Sequence, residues 1–303
     1  MTRVLVTGAG GAGAITVADS LRARDVTLYM ADVDPRARGL SLVPHERRVG
    51  LPRQGGSVLA EVVLQACIDH KIDIVIPTRD DELLPLARRR ARFREVGTTL
   101  MLPATASLES ALDRWSLLRL CDGVVYRPRT EIFGTNVDLT DWTYPLVVKP
   151  RFRADPRPSS IVYSYEEACE LRRDHALLVQ EYLPGGLVEV DVLASPLGAV
   201  VASVPRGVHG ASSPDLRGAE PVAAAGRVVH AIRGSYACTV QFRRDRNGRL
   251  ALLGVVPRIT PGMRTSRAAG DSLLSLGLQF AQRETCPANK PQYPEFTGWA
   301  HAQ

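Results

Sequence analysis

The sequence predicts an α/β unit followed by an α+β unit. Short apolar runs alternate with helix-like segments through residues 4–103, the pattern of a mostly parallel sheet with helices on both faces. After residue 187 strand-like runs follow one another with one helix among them, as in an antiparallel sheet. No run of about 18 uncharged apolar residues occurs, so no membrane-spanning helix is expected. The expected units are residues 1–104, residues 105–285 and a polar tail over 286–303. The middle unit divides into about 105–180 and 181–285.

Each element has a local reason. Val4-Leu5-Val6-Thr7 is a strand, Gly8 to Gly13 a glycine turn, and Ala14 to Arg24 a helix. Thr27 to Met30 forms a second strand that ends at Asp32; residues 57–70 are helical, and Ile72 to Pro77 is a third strand. A helix over about 82–94 presents Arg88, Arg89, Arg90, Arg92 and Arg94 as a solvated face, and Thr99 to Leu102 is a fourth strand ending at Pro103. A helix over Ser107 to Leu120 opens the second unit. Strands follow at Leu146 to Lys149 and Ser160 to Tyr163, then a helix at Glu166 to Arg173 and a strand at Ala176 to Glu181. The last strands are Val188 to Leu193, Ala199 to Val204, Tyr236 to Phe242 and Leu250 to Val256, with a helix near 219–233.

Charge and cysteine narrow the function classes. Lys and Arg total 38 against 32 Asp and Glu, and only Lys71, Lys149 and Lys290 are lysine, leaving 35 arginines. The basic residues are interspersed with acids and no basic stretch carries interleaved aromatics, so nucleic acid is not an expected partner. Five cysteines stand singly without a C-x-x-C pair, which suits neither a disulfide framework nor a zinc cage. Because the first apolar run leads straight into the glycine turn, no signal peptide is read and a cytoplasmic location is the expectation.

The glycine turn admits two readings. Gly8, Gly10 and Gly13 hold the G-x-G-x-x-G positions directly after a strand, and Asp32 follows Gly13 by 19 residues, as in a dinucleotide site. That reading would make the chain an NAD-binding oxidoreductase. A tight strand-to-helix crossover needs the same glycines for close packing alone.

Four segments, in order, carry a resemblance. They are Asp73 to Leu83 (DIVIPTRDDEL), Ser110 to Trp115 (SALDRW), Tyr144 to Arg151 (YPLVVKPR) and Val179 to Gly185 (VQEYLPG). The chain resembles ATP-grasp proteins, closest to the carbamoyl-phosphate synthetase large-subunit type and its small-molecule ligase relatives. The resemblance implies a Rossmann-like pre-ATP-grasp domain followed by a two-subdomain ATP-grasp fold, with ATP as cofactor and Mg2+ bridging its phosphates. It implies activation of a small carboxylate as an acyl phosphate for an amine or similar acceptor. A partner subunit or an assembly of copies is left open.

By the same resemblance Lys149 and Arg114 contact phosphate, Gln180, Glu181 and Leu183 meet the adenine, Gln241 is a metal ligand and Arg258 stabilises transferring charge. His209, in Gly207 to Ser213, is the residue near the acceptor. Three parts of the pattern differ. In Leu253 to Thr260 the metal-ligand positions hold Gly254 and Val256, although Pro257 and Arg258 are kept. The stretch Phe152 to Ser160 contains no glycine where a glycine-rich lid is expected, and Leu187 stands where a glutamate usually holds the ribose. The expected functions are therefore an ATP-dependent ligase with altered metal ligands, or a protein that binds a nucleotide, an anionic metabolite or a partner without turnover. Lys149, Arg151, Arg153, Arg206, Arg258 and Arg264 would together make a cleft able to hold an anion without a metal.

Overall fold

The computed structural model describes residues 1–22, 24–207, 219–268 and 271–285. The first unit runs β1 (Thr2–Thr7), α1 (Ala12–Leu21), β2 (Val26–Asp32), β3 (Arg48–Gly50), α2 (Gly56–His70), β4 (Ile74–Ile76), α3 (Asp80–Arg88), α4 (Arg90–Glu95) and β5 (Thr99–Leu100). Its five strands pair in parallel in the order β3-β2-β1-β4-β5. Both faces of this sheet are buried, as a parallel sheet requires. Val4, Val6, Ile74 and Ile76 face one apolar cluster while Leu5 and Val75 face another, the alternation of a strand dividing its side chains between two helix layers.

Two helices, α5 (Thr105–Leu112) and α6 (Arg114–Leu120), lead into a four-stranded antiparallel sheet of order β6-β9-β7-β8. Its strands are β6 (Thr130–Ile132), β7 (Leu146–Pro150), β8 (Ser160–Val162) and β9 (Leu177–Glu181), with α7 (Tyr165–Glu170) before β9. A second antiparallel sheet, β11-β10-β12-β13, comprises β10 (Leu187–Ala194), β11 (Val200–Gly207), β12 (Tyr236–Arg244) and β13 (Leu250–Val256), and α8 (Glu220–Ala231) covers its apolar face. A short pair, β14 (Arg267–Ala268) and β15 (Asp271–Ser272), precedes α9 (Leu273–Thr285).

Several expectations change. The single helix read over 107–120 is two, because Asp113 leaves helical geometry to cap α6, accepting from the backbone N–H of Trp115 and Ser116. The helix read over 82–94 is likewise divided at Arg89, giving α3 and α4. Arg90 is no solvated residue. Its guanidinium donates to the carbonyls of Leu100, Leu102 and Pro103 and so closes the C-terminal edge of the first sheet. Helix α9, β3 and β6 were not read from the sequence. Leu273, Leu274, Leu278 and Phe280 of α9 pack back into the core cluster around Val4 and Ile76, so the chain returns to its first sheet after building the last one. Cys67, Cys121 and Cys238 are buried free thiols, whereas Cys169 is exposed. Cys286 and the 286–303 tail lie outside the described residues.

Candidate functional site

The candidate site is the cleft between the β7/β9 wall and the polar face of β10, β12 and β13. On β7, Leu146 and Val148 turn into the apolar core and Lys149 turns to the cleft. The Lys149 ammonium donates to Gln180 Oε1 at 2.8 Å, Gln180 Nε2 donates to Thr130 Oγ1 at 2.7 Å, and Thr130 Oγ1 donates to the Pro128 carbonyl at 2.9 Å. This chain crosses three adjacent strands and fixes the lysine. Among the described residues no carboxylate is hydrogen-bonded or ion-paired to it. Burial, reinforced by the nearby Arg114 and Arg153 charges, pushes the Lys149 ammonium down to about 7.

Arg114 opens α6. Its Nη1 donates to the carbonyls of Pro150 at 2.8 Å and Phe152 at 3.3 Å, so it lies against the end of β7 and has no acidic hydrogen-bond partner. Burial first, then Arg153, lowers its pKa to about 10. Arg151, expected in the same cationic group, instead makes a two-point pair with the helix-capping Asp113 at 2.9 and 2.6 Å. In the segment expected as a lid, Arg157 is paired with Asp155 and Asp174, both at 2.6 Å.

The residues expected to contact adenine divide. Gln180 faces Lys149, but Glu181, one residue on, points to the other side of β9 and accepts from the Tyr126 hydroxyl at 3.3 Å. There it borders an open groove of about 800 Å³ lined also by Arg127, Arg129 and Arg227. Leu183 is buried, and its carbonyl accepts from Arg243 at 3.2 Å.

On the opposite wall the register aligns Glu189, Gln241 and Gly254 across β10, β12 and β13, and Asp191, Thr239 and Val256 one step along. Gln241 Nε2 donates to Glu189 Oε1 at 2.7 Å. Glu189 and Asp191 are buried and both bound by Arg206, at 2.5 and 2.9 Å. Thr239 and Ser266 hydroxyls also donate to Asp191, at 2.7 and 2.6 Å. A Cβ placed on Gly262 would meet the Arg206 guanidinium, so glycine there makes room for this network.

Arg258 reaches the cleft but is not free. Its Nε donates to Asp80 Oδ1 at 2.6 Å, and Arg153 Nε stands 3.4 Å from Asp80 Oδ2. Asp80 begins α3, Arg153 follows β7 and Arg258 follows β13, so this carboxylate, absent from the sequence-predicted site, joins all three parts of the molecule. Its position in the TRDDE segment, at the end of a strand and the start of a helix, was the available signal. His209 lies outside the described residues.

The glycine turn is filled by the protein itself. Gly10 N–H donates to Asp32 Oδ2 at 2.7 Å, and Gly39 N–H donates to the Ala9 carbonyl at 3.0 Å. A Cβ on Gly39 would strike that carbonyl, and one on Gly13 would lie 3.1 Å from the Ile259 carbonyl. Here the glycines serve close packing.

A family model described as ATP-grasp in the biosynthetic pathway with Ter operon matches residues 173–298. Among solved structures, L-amino acid ligase from Bacillus licheniformis is similar at TM-score 0.72 and 17% identity, over 93% of this chain and 74% of that one. N5-carboxyaminoimidazole ribonucleotide synthetase from Thermotoga maritima is similar at TM-score 0.71 and 14% identity, over 93% and 76%. Biotin carboxylase from Campylobacter jejuni, solved with a β,γ-ATP ligand, is similar at TM-score 0.70 and 12% identity, over 93% and 71%. The chain has the ATP-grasp fold.

Magnesium, which the ATP-grasp family implies, can be tested against the residues present. A hard divalent cation needs several oxygen ligands, usually carboxylates. Gly254 offers none, and its missing side chain would point to a spot 3.9 Å from both Gln241 Oε1 and Arg153 Nη1. Val256, on the same strand face, offers none either. The nearby carboxylates Glu189, Asp191 and Asp80 are each paired with arginine. Among the described residues no group of three His, Cys, Asp or Glu side chains could hold a metal. These residues do not fit Mg2+.

Proposed function

We propose that this ATP-grasp protein binds a phosphate-bearing ligand of the ATP class in the cleft between Lys149 and Arg258. The observation that carries the reading is Lys149: a fully buried ammonium, held in place by Gln180, beside Arg114 and with no acid to neutralise it. Burying a cation in this way is costly unless an anion completes the site. Arg114 adds a second cation whose partners are only backbone carbonyls. A phosphate group presents oxygens that both could bind.

The ligase reading, activation of a small carboxylate for an amine or similar acceptor, draws on the named relatives, among them an amino acid ligase, and on the retained Pro257-Arg258 pair. Weighing against it are the mismatched metal positions, Leu187 at the ribose position and a lid segment without glycine. Binding without magnesium-dependent turnover is the better supported of the two.

Titration calorimetry of the chain with ATP, with and without Mg2+, and with NAD in parallel, tests this. ATP binding and no NAD binding is expected, with no ADP released when small carboxylates and amines are added. Binding of NAD but not ATP would remove the proposal, and Mg2+-dependent ADP release would restore the ligase reading.

A further inference from the structure

An arginine stands beside the mismatched position at Gly254. Arg153 Nη1 lies 3.9 Å from the spot a side chain at Gly254 would enter, next to Gln241 Oε1 at the same distance. Around the Arg153 side chain stand Asp80, Arg258 and Glu189, with Lys149 and Arg114 within electrostatic reach. A positive group thus stands beside the position at which the ATP-grasp pattern places a carboxylate.

Arg153 is also incompletely satisfied. Its Nε is buried and has no hydrogen-bond partner, the only such side-chain atom among the described residues, because the Asp80 carboxylate is 3.4 Å away without bonding geometry. A buried guanidinium N–H that makes no hydrogen bond is unfavourable, and an oxygen-rich anion would relieve it. Its side chain is only 13% exposed, which limits what water can supply. The backbone fixes its root, since Arg153 N–H donates to the Leu112 carbonyl at 3.0 Å.

We infer that Arg153 replaces the divalent cation of the cleft, so that the protein takes the phosphate chain of a nucleotide as a metal-free anion held by Lys149, Arg114 and Arg153. This rests on the proposed nucleotide-class ligand and adds the state in which that ligand is bound. A planar guanidinium can bridge two phosphate oxygens, as a metal ion does, and needs no carboxylate cage of its own. Glycine at 254 is then a requirement: a glutamate there would reach toward Arg153 and cancel its charge. Asp80 holds the guanidinium in the cleft until phosphate oxygens share it.

Calorimetric titration of the full chain with ADP, once in EDTA and once in excess Mg2+, reads this directly. The two dissociation constants are expected to agree within about threefold, since no ligand set rewards the metal complex. Arg153→Gln should weaken binding in EDTA by about tenfold or more, the loss of a charge-assisted phosphate contact. Arg92→Gln, which removes an exposed cation paired with Glu95, should leave it unchanged. Arg153→Gly combined with Gly254→Glu and Val256→Asn should make ADP binding favour Mg2+. Binding at least about tenfold tighter with Mg2+ in the natural chain overturns the inference without variants, as does wild-type affinity in EDTA for a folded Arg153→Gln chain. ADP binding in neither buffer removes the proposed function itself, and this inference with it.

Discussion

The two walls of the cleft treat charge in opposite ways. On the β7/β9 wall, the buried Lys149 and the half-buried Arg114 are cations bonded only to an amide and to backbone carbonyls. On the β10/β12/β13 wall, Glu189 and Asp191 are buried anions, each closed by Arg206, with Thr239 and Ser266 completing Asp191. Under the proposed function the unfinished charges receive the ligand, whereas the finished ones hold the two strands and Arg206 together. The same residue types therefore have different jobs a few strands apart.

This contrast can be broken most forcefully at Asp191. Asp191→Ala should destabilise the fold by about 3–5 kcal/mol, because in a buried site it strips Arg206 of one anion, takes the Ser266 hydroxyl's partner and leaves Thr239 only Thr260. Denaturant titration should show a lower midpoint, and nucleotide affinity of the folded fraction should change far less. A variant as stable as the natural chain would mean that this wall, too, is held ready for a ligand.

Lys149→Met should do the reverse. The folded-state pKa near 7 lies below the free-lysine value of 10.5, so between these values the unfolded chain binds more protons and stability rises with pH. Below about pH 7 the full penalty of the buried ammonium is present. There Lys149→Met should stabilise the ligand-free protein by roughly 2–4 kcal/mol, a gain that shrinks toward pH 10. Ligand affinity should fall by about tenfold to a hundredfold at the same time. Equilibrium unfolding at several pH values and calorimetry separate the two effects; a loss of stability would show that Lys149 is structural.

The smallest effect is expected at Gly262. Since Arg206 is pinned by two carboxylates, it cannot easily yield to a new Cβ, and Gly262→Ala should cost about 1–2 kcal/mol, read as a shift in the unfolding midpoint. An unchanged midpoint would show that Arg206 is free to move and that its wall is less closed than its distances imply.

Much of the molecule was legible before any coordinates. The strands of the first sheet are apolar runs bounded by Gly, Asp and Pro, and the period of the signal is local, so β1, β2, β4 and β5 could be read directly. β3 (Arg48-Val49-Gly50) and β6 (Thr130-Glu131-Ile132) carry one aliphatic side chain each, so neither forms an apolar run. Helix α9 was missed because what gives it a place is the cluster around Val4 and Ile76, roughly 200 to 270 residues earlier in the chain. Arg90 was misread for a related reason: a charged residue in an arginine-rich run looks solvated until the three carbonyls it binds are located.

The sequence by itself determined the order of elements, the ATP-grasp resemblance, a lysine at 149, and residues without side-chain oxygens, Gly254 and Val256, at 254 and 256. These follow from residue identity and local spacing, which need no third dimension. Only the tertiary structure decided which charges are paired. Glu189 and Asp191 belong to Arg206, Arg151 to Asp113 and Arg258 to Asp80, whereas Lys149 is left to an amide. Coulombic pairing acts over a few ångströms between residues as distant in sequence as Asp80 and Arg258, and no linear pattern records that proximity. The glycine turn makes the same point: its spacing matches a dinucleotide loop, and only the coordinates show that Asp32 accepts from its Gly10 N–H and that Gly39 packs against its Ala9 carbonyl.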